Sequence, residues 1–149
     1  YLGSKLKITK LYRFKKSGVQ LRYTLQNKGE GPLKVCFGSE VNLSFASGIA
    51  KALRISVEGS EQGKEISADG AVLSDSGGVE LRDLVNNVLL RLRCDRPAEI
   101  WCLPIESVHR RCDAWEREYQ STCLLPRWQV ALPPGASWKV ELSLSAARL

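Results

Sequence analysis

The chain of 149 residues has the length of one ordinary domain, and its composition, 44% hydrophobic and 26% charged, is that of a folded globular protein. This composition excludes a disordered, collagen-like or coiled-coil chain. No stretch reaches the about 20 consecutive apolar residues of a membrane span, and charged residues interrupt the first sixteen positions, where a signal peptide has its apolar core. We therefore expect a single domain over residues 1–149 and no membrane partner.

The formal net charge of +6 is dispersed along the chain. Between Lys5 and Lys16, basic residues alternate with Tyr12 and Phe14, a mixture that single-stranded nucleic-acid grooves use because bases stack on aromatic rings. An edge strand whose lysines prevent edge-to-edge pairing explains the same pattern. We favour the edge strand and expect no nucleic-acid partner.

Alternating apolar and polar residues predict β-strands along most of the chain. The alternation is present over residues 19–25, 33–37, 41–45, 53–57 and 138–144. Turn-forming glycine, proline, aspartate and asparagine residues separate these strands, at 27–32, 69–70, 77–78 and 133–135. Short strands at this spacing, with no long helical segments between them, are typical of an antiparallel β-sandwich. The predicted fold class is all-β, with little or no helix.

Two segments are ambiguous. The strands at 33–37 and 41–45 keep one alternation phase only if Gly38-Ser39-Glu40 continue the extended chain, and a glycine inside a strand often marks a β-bulge or a close backbone approach. Between residues 79 and 94 the apolar positions fit both helix and strand spacing. Because Asn86-Asn87 favour a turn, we predict a hairpin of residues 79–85 with 88–94.

The cysteines form an odd set without Cys-x-x-Cys pairs: Cys36, Cys94, Cys102, Cys112 and Cys123. Such a set suits free thiols in a reducing cytoplasm better than a disulfide framework, so we predict a cytoplasmic location. One histidine with scattered cysteines does not provide four zinc ligands, and the glycine-rich phosphate-binding motifs are absent. We therefore predict neither a metal nor a nucleotide cofactor.

Candidate catalytic groups are few. His109 stands three residues before Cys112, but nucleophilic catalysis requires the pair to meet in space with a third group that orients the base, and chance adjacency explains the spacing better. Glu40 and Glu116 suggest the two carboxylates of a glycoside hydrolase, which lie about 5–5.5 Å apart in a retaining enzyme. Structural roles, such as an ion pair between Glu116 and a neighbouring arginine, explain them as well. We predict no catalytic residue.

The segment 100–128 contains three of the four tryptophans together with polar side chains. Aromatic faces stack on the C–H faces of sugar rings, while carboxylates and amides form hydrogen bonds with sugar hydroxyls. The candidate carbohydrate-binding residues are Trp115, Glu116, Tyr119, Gln120 and Glu40. The alternative is a sandwich core, in which tryptophan contributes a large buried area. For Trp101, and on balance for Trp115, we favour the core.

Three runs of sequence, residues 37–45 (FGSEVNLSF), 100–108 (IWCLPIESV) and 115–120 (WEREYQ), resemble the C-terminal β-sandwich domain of glycoside hydrolase family 57. The resemblance extends from about Lys5 to Leu144. The family includes α-amylases and 4-α-glucanotransferases. The resemblance implies part of a supersandwich of the galactose-mutarotase type, with the reaction in a separate upstream (β/α)₇ barrel that supplies a Glu nucleophile and an Asp acid/base.

One motif departs from the family. After Pro104-Ile105, where we expect a turn, the family tends to show Ser-x-Ser-Glu-x-Gly-Phe-Glu, whereas residues 109–116 read HRRCDAWE. The aromatic residue and the second glutamate remain, as Trp115 and Glu116, but the serines, the first glutamate and the glycine are replaced. Contacts that the family's Ser-Glu pair makes with a sugar or an ion are therefore not expected here.

The predicted function is that of a non-catalytic, carbohydrate-associated β-sandwich domain of an α-glucan-processing enzyme. Its expected partners are α-glucan chains and the catalytic barrel of the parent enzyme. The alternative is a structural or protein-interaction module without sugar affinity. Because the chain has no methionine and is short for the complete family domain, we expect a C-terminal fragment of a larger protein.

Overall fold

The structure is a computed structural model that describes residues 5–45, 53–58, 65–66 and 70–149. These residues form ten β-strands and contain no α-helix, so the all-β prediction is confirmed. The strands are β1 (Leu6–Lys15), β2 (Gly18–Asn27), β3 (Leu33–Gly38), β4 (Val41–Leu43), β5 (Leu53–Val57), β6 (Glu65–Ile66), β7 (Ala71–Asp83), β8 (Val88–Arg111), β9 (Ala114–Leu132) and β10 (Ser137–Arg148). No described segment is a helix with the length and hydropathy for a bilayer crossing.

One antiparallel sheet joins these strands and divides along β8. The main strand order is β1-β2-β10-β8-β7-β5-β6, and β9 connects β8 to β3 and β4. β8 pairs with β10 up to Cys94 and with β9 from Glu99 onward, while β7 lies along its other edge. β9 and β10 therefore share one edge of β8 and separate between residues 95 and 98. The sheet divides there into two layers.

The two layers enclose one hydrophobic core. The completely buried side chains include Leu25, Leu81, Leu92, Ile100, Leu124 and Leu142. Burial of each such side chain stabilises the fold by about 1.5–3 kcal/mol. Tyr23 of β2 and Phe37 of β3 lie on strands that do not pair with each other, yet their rings meet edge-on with centroids 5.0 Å apart, and the Tyr23 hydroxyl lies 2.8 Å from Ser39 Oγ. These contacts join the layers into the predicted sandwich.

The predicted strands agree closely with the observed ones. The segments 19–25, 33–37, 53–57 and 138–144 all lie within strands, while β4 ends at Leu43, two residues before the predicted end. The hairpin predicted over residues 79–94 is confirmed, with Asp83 opposite Val88. The strand order places β1 at the edge of the described sheet, as its lysines indicated.

The ambiguous segment at Gly38 continues without a bulge. Gly38 pairs with Arg127 and Val41 pairs with Leu124, so one register extends through Ser39 and Glu40. The ladder is interrupted there because Pro126 has no N–H to donate, although its carbonyl accepts the Ser39 N–H at 3.0 Å. The extended-chain interpretation is therefore confirmed.

Two predicted turns are wrong. Gly77 and Gly78 lie inside β7, next to a register shift, where a Cβ atom on Gly78 would lie 2.5 Å from the Leu92 carbonyl oxygen. The glycine there permits a close approach of two strands. Pro104 and Ile105 likewise lie within β8. Of the turn expected at residues 69–70, Asp69 lies outside the described residues, and Gly70 has a φ of 115°.

Candidate functional site

The segment rich in aromatic residues forms the tip of a hairpin. We call residues 106–119, at the end of β8 and the start of β9, the tip hairpin. Arg110 lies opposite Trp115, and His109 lies opposite Glu116. No described strand pairs with the outer edges of this two-stranded ribbon, and Trp115 is 73% exposed. The expectation that Trp115 packs in the core is therefore wrong, while Trp101 is half-buried.

The candidate residues of this segment lie on opposite faces of the ribbon. Consecutive strand residues point to opposite sides, so Trp115 and Tyr119 share one face while Glu116 lies on the other. Gln120, at the register shift, joins Glu116's face, because its Nε2 donates to Ser107 Oγ at 3.0 Å. The ribbon therefore separates the two rings from the carboxylate and the amide.

The polar atoms of these candidates already have protein partners. Glu116 Oε2 lies 3.6 Å from His109 Nε2 and 3.9 Å from Arg111 Nη1, both on the exposed surface. The Tyr119 hydroxyl lies 2.6 Å from Thr122 Oγ1, and burial raises the pKa of Tyr119. The predicted pairing of Glu116 with an arginine is thus present.

Glu40 lies far from the other candidates. The shared register of β3 and β4 places it opposite Leu125, nine residues along β9 from Glu116, or roughly 30 Å of extended chain. Its Oε1 accepts a hydrogen bond from Asn42 Nδ2 at 2.7 Å. Glu40 and Glu116 therefore do not form the closely spaced carboxylate pair of a retaining glycoside hydrolase.

A cleft opens at the point where β9 and β10 separate from the edge of β8. Its volume is about 520 Å³, and we call it the fork cleft. The lining residues come from four strands: Asp75, Arg96, Pro97, Ala98, Glu99, Arg127, Trp128, Gln129 and Trp138. None of the residues predicted to bind carbohydrate lines it. Of the lining residues, Arg127 and Trp128 lie in the aromatic segment 100–128 that the sequence indicated.

Charges of both signs line one side of the fork cleft. Glu99 Oε1 accepts a hydrogen bond from Trp101 Nε1 at 2.7 Å and lies 3.2 Å from Arg127 Nε. The Arg127 guanidinium lies 4.3 Å from the centre of the Trp101 ring. These contacts fix Glu99 and Arg127 in place, and within the described residues they leave Glu99 Oε2 without a protein partner.

Two tryptophans form the other side of the fork cleft. Trp128 Nε1 donates to the Pro97 carbonyl at 3.0 Å, which ties β9 to the unpaired part of β8. Trp128 and Trp138 have ring centroids 5.7 Å apart, and both rings contact Phe37. Trp138 stays half-buried, with the Arg96 guanidinium 5.9 Å from its ring centre. Packing therefore fixes the orientation of both indoles.

A second surface lies on β1. Ile8, Tyr12 and Phe14 are paired with the core-facing residues of β2, so they point toward the inner side of the sheet. They are nevertheless 52%, 50% and 81% exposed, because the described part of the second layer does not cover β1. Lys10, on the same side, has its ammonium 4.7 Å from the Tyr12 ring centre, and hydrogen bonds with Tyr12 and Tyr23 raise its pKa. We call this surface the β1 inner face.

The described residues contain no group of histidine, cysteine and acidic side chains that would hold a metal ion. All five cysteines are free in the structure. Burial is the main cause that raises the pKa of Cys94 to about 12 and that of Cys102 to about 11. Because the thiolate is the nucleophile and the metal ligand, the raised pKa values disfavour the reactive form of both thiols at neutral pH.

Comparison with known proteins shows what the chain resembles. Residues 1–142 match the family model described as alpha-amylase/4-alpha-glucanotransferase, C-terminal. Over 129 residues the chain is 26% identical to Alpha-amylase 1 of Dictyoglomus thermophilum, covering 85% of this chain and 18% of that protein. The chain therefore spans about a fifth of the length of this relative.

Solved structures share the fold. The crystal structure of 4-alpha-glucanotransferase from Thermococcus litoralis superposes with a TM-score of 0.69 at 15% identity, covering 94% of this chain and 18% of that one. A galactose mutarotase related enzyme from Lactobacillus acidophilus also has a TM-score of 0.69, at 12% identity, covering 97% of this chain and 62% of that one. The predicted mutarotase-type sandwich is confirmed.

Proposed function

This chain belongs to the family of C-terminal domains of α-amylases and 4-α-glucanotransferases, and we propose on this premise that it is a non-catalytic domain that binds α-glucan within an α-glucan-processing enzyme. The family match over residues 1–142 is the observation that carries the proposal, because it extends over nearly the whole sandwich. The fork cleft supports the binding role, since aromatic rings, carboxylates, an amide and guanidinium groups line one concave surface.

The positions of the carboxylates support the non-catalytic role. Glycoside hydrolysis requires two carboxyl groups about 5–5.5 Å apart in retaining enzymes and about 6.5–9.5 Å apart in inverting ones. Glu40 lies opposite Leu125, which is nine residues along β9 from Glu116. Glu99, in the fork cleft, already has its Oε1 atom in an ion pair with Arg127 and in a hydrogen bond from Trp101 Nε1. We therefore propose that catalysis takes place in another part of the enzyme.

A second candidate function is attachment to that catalytic part. The β1 inner face combines exposed apolar and aromatic side chains with the charge of Lys10 on one strand. An uncovered apolar surface of this kind marks a protein contact. The relatives are about five times as long as this chain, so the rest of the enzyme is the proposed occupant.

The proposed location is the cytoplasm. Five free thiols, of which Cys94, Cys102 and Cys123 have their pKa raised mainly by burial, are compatible with a reducing compartment. Fractionation of cells that express the tagged protein tests this location. Recovery in a secreted or periplasmic fraction would contradict it.

Two assays on the 149-residue chain test the proposed function. Electrophoresis through a gel that contains glycogen should slow the chain, while a gel with the same mass of dextran should not. Incubation with maltoheptaose should leave the oligosaccharide unchanged in length. Release or redistribution of glucose units that disappears in Asp75→Asn or Glu99→Gln would contradict the non-catalytic role, and unchanged mobility in glycogen would contradict glucan binding.

A further inference from the structure

We propose that the fork cleft is the glucan-binding site of this domain and that the indole of Trp138 stacks on one glucose ring. The inference rests on the proposed function and adds the binding residues to it. The site follows from the topology, because β9 and β10 share one edge of β8 and must separate between residues 95 and 98. The volume of about 520 Å³ lies in the range of small-molecule sites.

The balance of charge favours a neutral ligand. The fork cleft is lined by two carboxylates, Asp75 and Glu99, and by two guanidinium groups, Arg96 and Arg127. A phosphate or a carboxylated sugar would meet as many repulsive as attractive groups, and so would a cation. Sugar hydroxyls both donate and accept hydrogen bonds, so a neutral oligosaccharide satisfies side chains of both signs.

The two half-buried tryptophans beside the cleft differ in how their faces are covered. The Arg127 guanidinium lies 4.3 Å from the Trp101 ring centre and is held there by Glu99, so that face is occupied. The Arg96 guanidinium lies 5.9 Å from the Trp138 ring centre, close to the roughly 6 Å limit of a cation–π contact. Arg96 is exposed, so a sugar ring displaces it at little cost and stacks on Trp138.

Polar groups without protein partners line the same cleft as Trp138. Among the described residues, the side chains of Asp75 and Gln129 and the Oε2 atom of Glu99 make no hydrogen bond or ion pair with the protein. Asp75 lies between two paired positions of β7 where the register shifts, and its φ is 51°. A non-glycine residue in this conformation is strained, and such strain concentrates at binding and catalytic sites. These groups are placed to bind the hydroxyls of the stacked glucose.

Nuclear magnetic resonance titration of the 149-residue chain with maltoheptaose tests the site. Binding should shift the indole N–H resonance of Trp138 and leave that of Trp115 unchanged. Removal of one hydrogen bond should weaken binding about fivefold in Gln129→Ala, and loss of a charged acceptor should weaken it about tenfold in Asp75→Gly. Glycine adopts the φ of Asp75 without strain, so this variant keeps the bulge. Lys139→Ala, on the exposed opposite side of β10, is the matched control.

The titration results of the cleft variants, the control and the unaltered chain distinguish a wrong site from a wrong function. Weaker binding in both cleft variants, with Lys139→Ala unchanged, supports the proposed site. Undiminished binding in both cleft variants, together with loss of binding in Trp115→Ala, overturns the fork cleft and leaves the proposed function standing. No binding of maltoheptaose or glycogen by the unaltered chain overturns the proposed glucan binding, and the site with it. Trp138→Phe, which keeps an aromatic ring, should bind more weakly while its unfolding stays cooperative.

Discussion

The tip hairpin and the fork cleft contain the same kinds of side chain in very different surroundings. Both combine tryptophan, arginine and a carboxylate, and both include side chains of β8 and β9. In the tip hairpin, alternation places Trp115 and Glu116 on opposite faces of a two-stranded ribbon. In the fork cleft, side chains from four strands converge, and the indoles are packed against Phe37. The same composition therefore gives either an exposed ribbon or a cleft with fixed side chains, depending on whether side chains from several strands converge.

The largest expected difference between the two regions is in stability. Trp128 is 8% exposed and packs against Phe37 and Trp138, so Trp128→Ala should lower the free energy of unfolding by about 3–5 kcal/mol. Trp115 is 73% exposed, so Trp115→Ala should change it by less than about 0.5 kcal/mol. Urea unfolding followed by far-ultraviolet circular dichroism measures both. A loss above 2 kcal/mol (about thirtyfold in the unfolding equilibrium) in Trp115→Ala would show that the tip is packed.

A smaller difference in the stability cost of a substitution is expected between the turns at the two ends of β8. Asp83, 2% exposed, accepts hydrogen bonds from Asn86 Nδ2 at 2.7 Å and from the backbone N–H groups of Val85 and Asn86. Asp83→Ala leaves these donors unpaired and should cost about 1–3 kcal/mol. Asp113, in the tip turn, has a fully exposed side chain and only a 3.4 Å contact with Arg110, so Asp113→Ala should have little effect.

The turn at Asp83 also predicts a dependence on pH. The hydrogen bonds from Asn86 and Val85 hold the pKa of Asp83 below its usual value of 3.8 in the folded chain. Its contribution to stability is therefore complete above that value and is lost as the pH falls through the lower folded pKa. The difference in unfolding free energy between the natural chain and Asp83→Asn should shrink from pH 5 to pH 2. A constant difference would contradict the lowered pKa.

The smallest expected effect concerns the thiols and leaves the fold unchanged. Cys112 in the tip turn and Cys36 on β3 are exposed, so Ellman's reagent should modify them first in the native protein. Cys94, Cys102 and Cys123, whose pKa values burial raises, should react only on unfolding. A total of five thiols in denaturant without reductant is expected. A total of one would mean two disulfides and an oxidising location.

The strands were predictable because one face of each is buried. A buried face imposes alternation on the sequence, as at residues 19–25, where Leu21, Tyr23 and Leu25 point into the core. The hairpin at 79–94 was predictable because asparagine is common in turns, and Asn87 adopts a φ of 56°. The β-bulge at Gly77-Gly78 was taken for a turn because glycine serves both structures.

The fork cleft was not predictable from the sequence. Asp75, Arg96, Gln129 and Trp138 lie on four strands, and they converge only because β9 and β10 leave the same edge of β8. The candidate residues of segment 115–120 were instead grouped by their proximity in sequence. Alternation along a strand argues against such a grouping, because neighbouring residues point to opposite faces. That signal was available in the sequence itself.

The position of β10 between β2 and β8 has a consequence for how this domain folds. Gln20 and Glu141, hydrogen-bonded across β2 and β10, are 121 residues apart in the chain. β10, the last of the ten described strands in chain order, therefore joins β2 to β8, and without it the described sheet has no continuous ladder between those two strands. Pairing over such separations requires large loops to close first, so folding belongs to the millisecond-to-second regime of β-sandwiches. Loss of β10 would separate the β1–β2 hairpin from the rest of the described sheet.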